Sequence, residues 1–263
     1  MHELVFTAHN IELPDGRYTM ANEVPLVSES PWLKSAKKLL NSLFPADKSE
    51  FSLVDLGCLE GGYALEFAKM GFQTTGIEAK QPNIDCCRLV QESSNLANLS
   101  FEKDDVLNIS NYQNFDVAFC CGLLYHLENP KSFLEKLTEK INGVLILNTH
   151  FSLASPSSSY NLSRLEEHEN LSGRWFKEFD PGVSLKRKEE SRWASHENEN
   201  SFWVLREDLI QIIYDLGFDI VFEEFDNFAP NVSGYLKNEY STTMRGTFIG
   251  IRSEYFSKLK SNT

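Results

Sequence analysis

The chain has 263 residues, of which 41% are hydrophobic, 12% aromatic and 24% charged. That length buries one large core or two modest ones, and the composition excludes a disordered or membrane-spanning chain. With 25 basic and 38 acidic residues the net charge is −13, which argues against broad, cation-driven nucleic-acid binding but leaves a local basic pocket open.

In chain order, residues 1–50 read as an irregular arm with one helix near 32–44. An apolar run at 51–56 reads as a buried strand entering a turn, and 63–70 has helical spacing stopped by Gly71. A second strand at 72–77 ends at Glu78, a helix follows over 81–98, and strands are expected at 99–103 and 115–120. Pro130 opens a helix reaching about residue 140, and Asn142-Gly143 is expected to turn the chain into a strand at 144–148. Residues 151–203 carry only weak periodicity and are too long for an ordinary loop. Regularity returns with an amphipathic helix at 205–216, capped by Gly217, and strands at 219–225 and 243–251. Alternating strands and helices imply an α/β, doubly wound, mostly parallel sheet with an insertion.

The five cysteines, Cys58, Cys86, Cys87, Cys120 and Cys121, form neither a zinc spacing nor a C-x-x-C motif. Reduced, mostly buried thiols are expected, and a catalytic thiol is not. No third ligand accompanies Asp104 and Asp105, so no metal is expected. Met1-His2-Glu3-Leu4 has no positive region leading into an apolar stretch, so no signal peptide and a cytoplasmic location are expected.

Asp55-Leu56-Gly57-Cys58-Leu59-Glu60-Gly61-Gly62 lies between the first strand and the first helix. Glycines there let the backbone turn sharply and approach a ligand, while helix N–H groups face it. The spacing is not G-x-G-x-x-G, because Leu59 stands where a second glycine would be. Alone, it is equally well a tight strand–helix turn. Glu78, about twenty residues on, ends the second strand where a carboxylate can accept both ribose hydroxyls. Asp104-Asp105-Val106 closes the third strand and Cys120-Cys121-Gly122 the fourth. All four features sit at carboxyl ends of parallel strands, where open α/β sheets bind ligands.

These residues, with Gly122-Leu123-Leu124-Tyr125-His126-Leu127-Glu128-Asn129-Pro130, resemble class I S-adenosylmethionine-dependent methyltransferases over residues 50–150. The resemblance implies a seven-stranded sheet with an antiparallel last strand and an inserted lid. It implies S-adenosylmethionine as cofactor, S-adenosylhomocysteine as product, and a cofactor site of Asp55, Gly57, Gly61, Glu78, Asp104, Asp105, Val106, Cys121 and Gly122. By position, Gly57 and Asp55 would serve the methionine part, Glu78 the ribose, and Asp105 or Asp104 the adenine amino group. The implied layout is a covering arm and helix (1–50), a cofactor-binding core (51–150), a substrate lid (151–203) and the C-terminal part of the core sheet (204–263).

A second resemblance is to the tRNA wobble-uridine carboxymethyl-transfer enzymes and their small-molecule relatives. It rests on Gly122 to His126, Ser201-Phe202-Trp203 and Met244-Arg245-Gly246, while His9 to Gly16 is similar to an arm preceding the core in several relatives. In the tRNA enzymes, the tyrosine and arginine matching Tyr125 and Arg245 grip a cofactor carboxylate. Lys34 is the candidate partner lysine here, and the basic extension suited to tRNA is missing.

Methyl transfer to a hydroxyl or amine needs the nucleophile held near the methyl group and its proton removed. His126 and His150, both following strand ends, are the candidate bases, with Tyr125 beside them; helix capping and backbone hydrogen bonding are the plainer roles. Tyr18, Arg174, Trp175, Trp193, His196, Trp203 and Arg245 are candidate substrate contacts. The aromatics among them equally suit a satellite core under a long loop. Lys186-Arg187-Lys188, followed by two glutamates, is expected to be a solvated helix face. The expected function is methyl transfer to a small-molecule acceptor, at oxygen, with no nucleic-acid or membrane partner. The alternatives are a tRNA wobble-uridine methyl or carboxymethyl transferase, and a non-catalytic cofactor-binding module. Oligomeric state is not legible.

Overall fold

The computed structural model describes residues 4–21, 23–155, 159–225 and 240–260. After the arm, α1 (Pro31–Leu43) leads to β1 (Ser52–Leu56), α2 (Gly62–Lys69), β2 (Gln73–Glu78), α3 (Gln81–Ser94), β3 (Leu99–Lys103), β4 (Phe115–Cys121), α4 (Pro130–Thr138) and β5 (Ile141–His150). The insertion holds β6 (Glu166–His168), β7 (Leu171–Lys177), α5 (Leu185–Glu190) and β8 (Asn200–Val204). The chain then returns through α6 (Arg206–Asp215), β9 (Ile220–Glu224), α7 (Tyr240–Thr243), β10 (Arg245–Ile251) and α8 (Ser253–Lys260).

Among the described residues the main sheet has seven strands, ordered β3-β2-β1-β4-β5-β10-β9. β1 to β5 pair in parallel, and β10 runs antiparallel to both β5 and β9. The order reverses between β1 and β4, so the carboxyl ends of these strands splay around a crevice.

Period-two alternation feeds two cores. Leu53, Val117, Phe119 and Ile146 pack against Leu33, Ala36 and Leu40 of α1 and Phe67 of α2. Val54, Ala118 and Leu145 face the opposite side, with Phe133 and Leu137 of α4 and Leu209 and Ile213 of α6. Because both faces are covered, these strands read as near-continuous apolar runs, which is why they were legible.

Four features differ from expectation. α3 stops at Ser94, where Asn95 adopts a left-handed cap with φ 54°, rather than continuing to residue 98. β5 runs straight through Asn142-Gly143 with no turn. Gly143 is needed there because a Cβ would lie 2.6 Å from the Tyr255 ring on α8. β10 begins at Arg245, after the separate short helix α7. The insertion is not irregular: β6, β7 and β8 form an antiparallel sheet of their own. Among the described residues, no helix is long and apolar enough to cross a membrane.

Candidate functional site

The turn after β1 is built for a close backbone approach. Gly57 and Gly61 have φ of 65° and 80°, conformations that side chains with a Cβ disfavour. Leu59 has φ 53°, so it adopts the left-handed conformation at the position where a second glycine was absent from the motif. Its N–H donates to Glu78 Oε2 at 3.0 Å, and the N–H of Lys80 donates to Oε1 at 2.8 Å. Burial raises the pKa of Glu78 against these two bonds.

Above this turn lies a cavity of about 670 Å³, within the size range of small-molecule sites. Gly57, Glu78, Asp105, Val106, Cys121, Gly122, Tyr125, His126, Trp193, His196 and Arg245 line it, as several elements converge at the strand ends. Asp55 lies behind the wall, 1% exposed, and its Oδ2 has no partner among the described residues. Burial pushes its pKa up to about 8, with the nearby Glu78 charge adding to the effect.

The adjacent Asp104 and Asp105 are separated. Asp105 lines the cavity, with Oδ1 accepting the N–H of Leu107. Asp104 does not line the cavity; its oxygens accept from Asn108 Nδ2 at 2.7 Å and Tyr112 Oη at 3.0 Å, outside it. Gly61 is likewise absent from the wall: a Cβ on it would lie 2.6 Å from Phe101, so it serves the packing of the turn on β3.

His126 Nδ1 lies 2.7 Å from Glu178 Oε1, and their side chains are 15% and 2% exposed. Glu178, from the loop after β7, also accepts from Ser201 Oγ at 2.9 Å and Ser195 N–H at 3.2 Å. The carboxylate therefore fixes the proton on Nδ1 and leaves Nε2 as an acceptor.

His150 is not among the cavity-lining residues. Its ring stacks on Trp203 at 4.8 Å and meets Tyr125 edge-on at 4.6 Å, while Nδ1 lies 3.0 Å and 3.1 Å from the carbonyls of Thr243 and Met244. Burial lowers its pKa to about 4, with Arg245 contributing.

Four expected substrate contacts lie elsewhere. Tyr18 is 43% exposed on the arm, bridged to Glu12. Arg174 is buried and donates to the carbonyls of Leu153, Ser163 and Ala154, so it braces the insertion. Trp175 packs on Phe202 and His168, and Trp203 on Phe176 and Tyr160, which makes them the core of the smaller sheet. Lys34 pairs with Glu29 on the surface. The expected solvated face of α5 is also incomplete: Lys188 is 7% exposed, and its ammonium reaches the Glu197 carbonyl.

Several wall residues were not anticipated. Lys80 Nζ donates to the carbonyls of Lys188, Ser191 and Ala194, and so pins the insertion to the end of β2. Arg192 reaches Glu60 at 2.8 Å and Asn83 at 2.6 Å. Glu60, fully buried, also accepts the main-chain N–H groups of Thr7, Ala8 and His9. Trp32 from α1 joins the wall, its Nε1 donating to Tyr63 Oη at 2.6 Å. Glu60 sits inside the glycine-rich motif and Lys80 follows Glu78, so both were within reach of sequence reasoning; nothing local marks Glu178 or Arg192.

A family model described as a methyltransferase domain matches residues 47–194. The chain is 30% identical over 105 residues to a ubiquinone biosynthesis O-methyltransferase of Rickettsia bellii (strain OSU 85-389), covering 39% of this chain and 43% of that protein. It is 25% identical over 144 residues to the like-named protein of Rickettsia typhi (strain ATCC VR-144 / Wilmington), covering 54% and 56%. The chain thus spans roughly half the length of these relatives. Among solved structures, the N-terminal domain of EvdMO1 with S-adenosylhomocysteine bound aligns with a TM-score of 0.66 at 21% identity, covering 92% of this chain and 90% of that one. That likeness is one of fold.

Proposed function

The chain belongs to the methyltransferase-domain family of class I, S-adenosylmethionine-dependent enzymes, and from that premise we propose that it methylates an oxygen atom of a small-molecule acceptor. When bound, the cofactor supplies an electrophilic methyl group on a cationic sulfonium. The residues present fit it. Glu78 offers carboxylate oxygens to the ribose, and Asp105 and Val106 border the adenine end. Asp55, behind the wall, holds an unpartnered carboxyl oxygen at the end of β1.

The observation that carries the reading is His126 in the cavity wall, backed by the buried carboxylate of Glu178. With Nδ1–H given to Glu178, His126 Nε2 can take the proton of an acceptor hydroxyl as the oxygen attacks, and Glu178 stabilises the resulting imidazolium. Tyr125 and Arg245 border the same end of the cavity. The arm and residues 151–203 act as covers that exclude water, held by Glu60, Lys80 and Glu178. The net charge of −13 favours a small molecule over tRNA, and the naming of the Rickettsia relatives supports oxygen as the acceptor atom.

The test is incubation with a metabolite extract and isotopically labelled methyl donor, followed by mass spectrometry of the labelled products. A labelled O-methyl metabolite is expected; label confined to RNA would refute the reading. With the acceptor in hand, His126→Gln should lower turnover by about 10²- to 10⁴-fold while cofactor affinity holds, and an unaltered rate removes His126 from proton transfer.

A further inference from the structure

His9 is 5% exposed, lies on the arm rather than in the motif-bearing core, and lines the cavity. Its main-chain N–H is fixed by Glu60 Oε2 at 2.8 Å. Its Nδ1 accepts the N–H of Gly62, in the first turn of α2, at 3.0 Å, and its ring meets Tyr63 edge-on at 4.6 Å. An imidazole that accepts at Nδ1 carries its proton on Nε2. Burial lowers the pKa of His9 to about 4, against the pull of Glu60, so the ring is neutral near pH 7. No partner for Nε2–H is present among the described residues, and because the ring lines the cavity this donor is available to an acceptor there.

The acceptor's place along the cavity follows from the strand order. Glu78 and Asp105 stand over β2 and β3, on one side of β1. His9 stands at the start of α2 against Tyr63, whose ring packs on Phe119 of β4 at 5.4 Å, on the other side. A cofactor with its ribose and adenine over β2 and β3 therefore extends its amino-acid end towards His9. The start of α2 favours an anion there, against the charge of Glu60, which Arg192 pairs at 2.8 Å. The positive end of the α2 dipole reaches the ring through the Gly62 N–H, so Nε2–H presents that charge one imidazole further out. The neighbouring Trp32 Nε1 is already given to Tyr63.

We propose that His9 is a cofactor-binding residue whose Nε2–H donates to the carboxylate of the amino-acid end of S-adenosylmethionine. This rests on the family's cofactor occupying the cavity. The arm then does more than cover the site, because it reads the part of the cofactor that the adenosine contacts do not.

The test is calorimetric titration with S-adenosylhomocysteine and with 5′-methylthioadenosine, which keeps the adenosine and thioether but lacks the amino-acid end. His9→Asn is the informative variant, since its Oδ1 can replace Nδ1 as acceptor for Gly62 while no donor reaches the place of Nε2. S-adenosylhomocysteine should bind at least tenfold more weakly to this variant, about 1.4 kcal/mol, and 5′-methylthioadenosine within twofold of the unaltered protein. Equal weakening of both ligands would show a merely structural role, and unchanged binding of both would remove the contact; either overturns the proposal. If the unaltered protein binds neither ligand, the cofactor reading itself falls. Nitrogen-15 spectra of the His9 ring give a second readout. A proton on Nε2 before addition, shifting with S-adenosylhomocysteine but not with 5′-methylthioadenosine, is expected; a proton on Nδ1 refutes the assignment.

Discussion

Replacing Glu60 by glutamine tests whether one carboxylate holds the arm, the β1–α2 turn and the insertion together. The side chain is fully buried and accepts from the N–H groups of Thr7 at 2.6 Å, Ala8 at 3.0 Å and His9 at 2.8 Å, and from Arg192 at 2.8 Å. Removing one partner of a buried ion pair costs about 3–5 kcal/mol. Two features lower that figure here. Glutamine keeps the volume and one acceptor oxygen, and Arg192 retains its bond to Asn83 with its side chain 12% exposed. A third feature raises it, because Oε1 accepts three donors and Oε2 two, so the new amide NH₂ leaves at least two of them without an acceptor, at about 1–3 kcal/mol. The expected loss is about 2–4 kcal/mol in urea-induced unfolding at pH 7, followed by tryptophan fluorescence and circular dichroism. Arg192→Met should cost less, and the double variant should show a coupling of about 1–3 kcal/mol between the two sites. A loss for Glu60→Gln below about 0.5 kcal/mol, the range of an ordinary surface substitution, would refute the reasoning, as would strict additivity in the cycle.

Two further outcomes are expected. Asp55 titrates near 8 in the folded chain and at 3.8 when unfolded, so between those values the folded state holds the extra proton and this group's contribution to stability falls as pH rises. His9 and His150, lowered from 6.5 to about 4, act in the opposite sense over their own interval, which leaves pH 6.5 to 8 as the window where the Asp55 slope stands clear of theirs. Asp55→Asn should flatten the stability profile in that window when denaturation midpoints are measured across it; an identical slope would show that the carboxyl ionises normally. Gly61→Ala should destabilise by about 2–4 kcal/mol, joining a left-handed conformation to a clash with Phe101, and thermal unfolding within a degree of the parent would contradict both causes.

The strand-end side of the crevice was legible in the sequence because its positions are fixed by local rules. Buried parallel strands give apolar runs, and whatever ends such a strand faces the crevice, which is how Glu78, Asp105 and Gly122 could be placed without coordinates. The same rule could not separate Asp104 from Asp105, since adjacent residues at a strand end differ only in the direction of the side chain. The outcome depended on Tyr112, eight residues away, capturing the first of them.

The insertion was legible only in composition. Its strands pair with one another in a small antiparallel sheet rather than with the main sheet, so they lack the two-sided burial that gave the core strands their apolar runs. Arg174 beside Trp175 looks like a substrate contact in one dimension, but three main-chain carbonyls had first claim on that guanidinium. What closes the site is a set of long-range pairs, Glu178 with His126, Arg192 with Glu60, and Lys80 with the carbonyls of residues 188–194. In each pair one member lies on or beside a recognisable strand-end motif, while the other sits 52 to 132 residues away in a segment with no signature. The division has a chemical consequence. The Glu78 and Asp105 end of the cavity is lined by residues that the core fold must place correctly anyway. The opposite wall depends on how the insertion and the arm dock, so substitutions in the insertion can reshape the cavity without touching the strand ends, whereas those in the arm reach His9 as well.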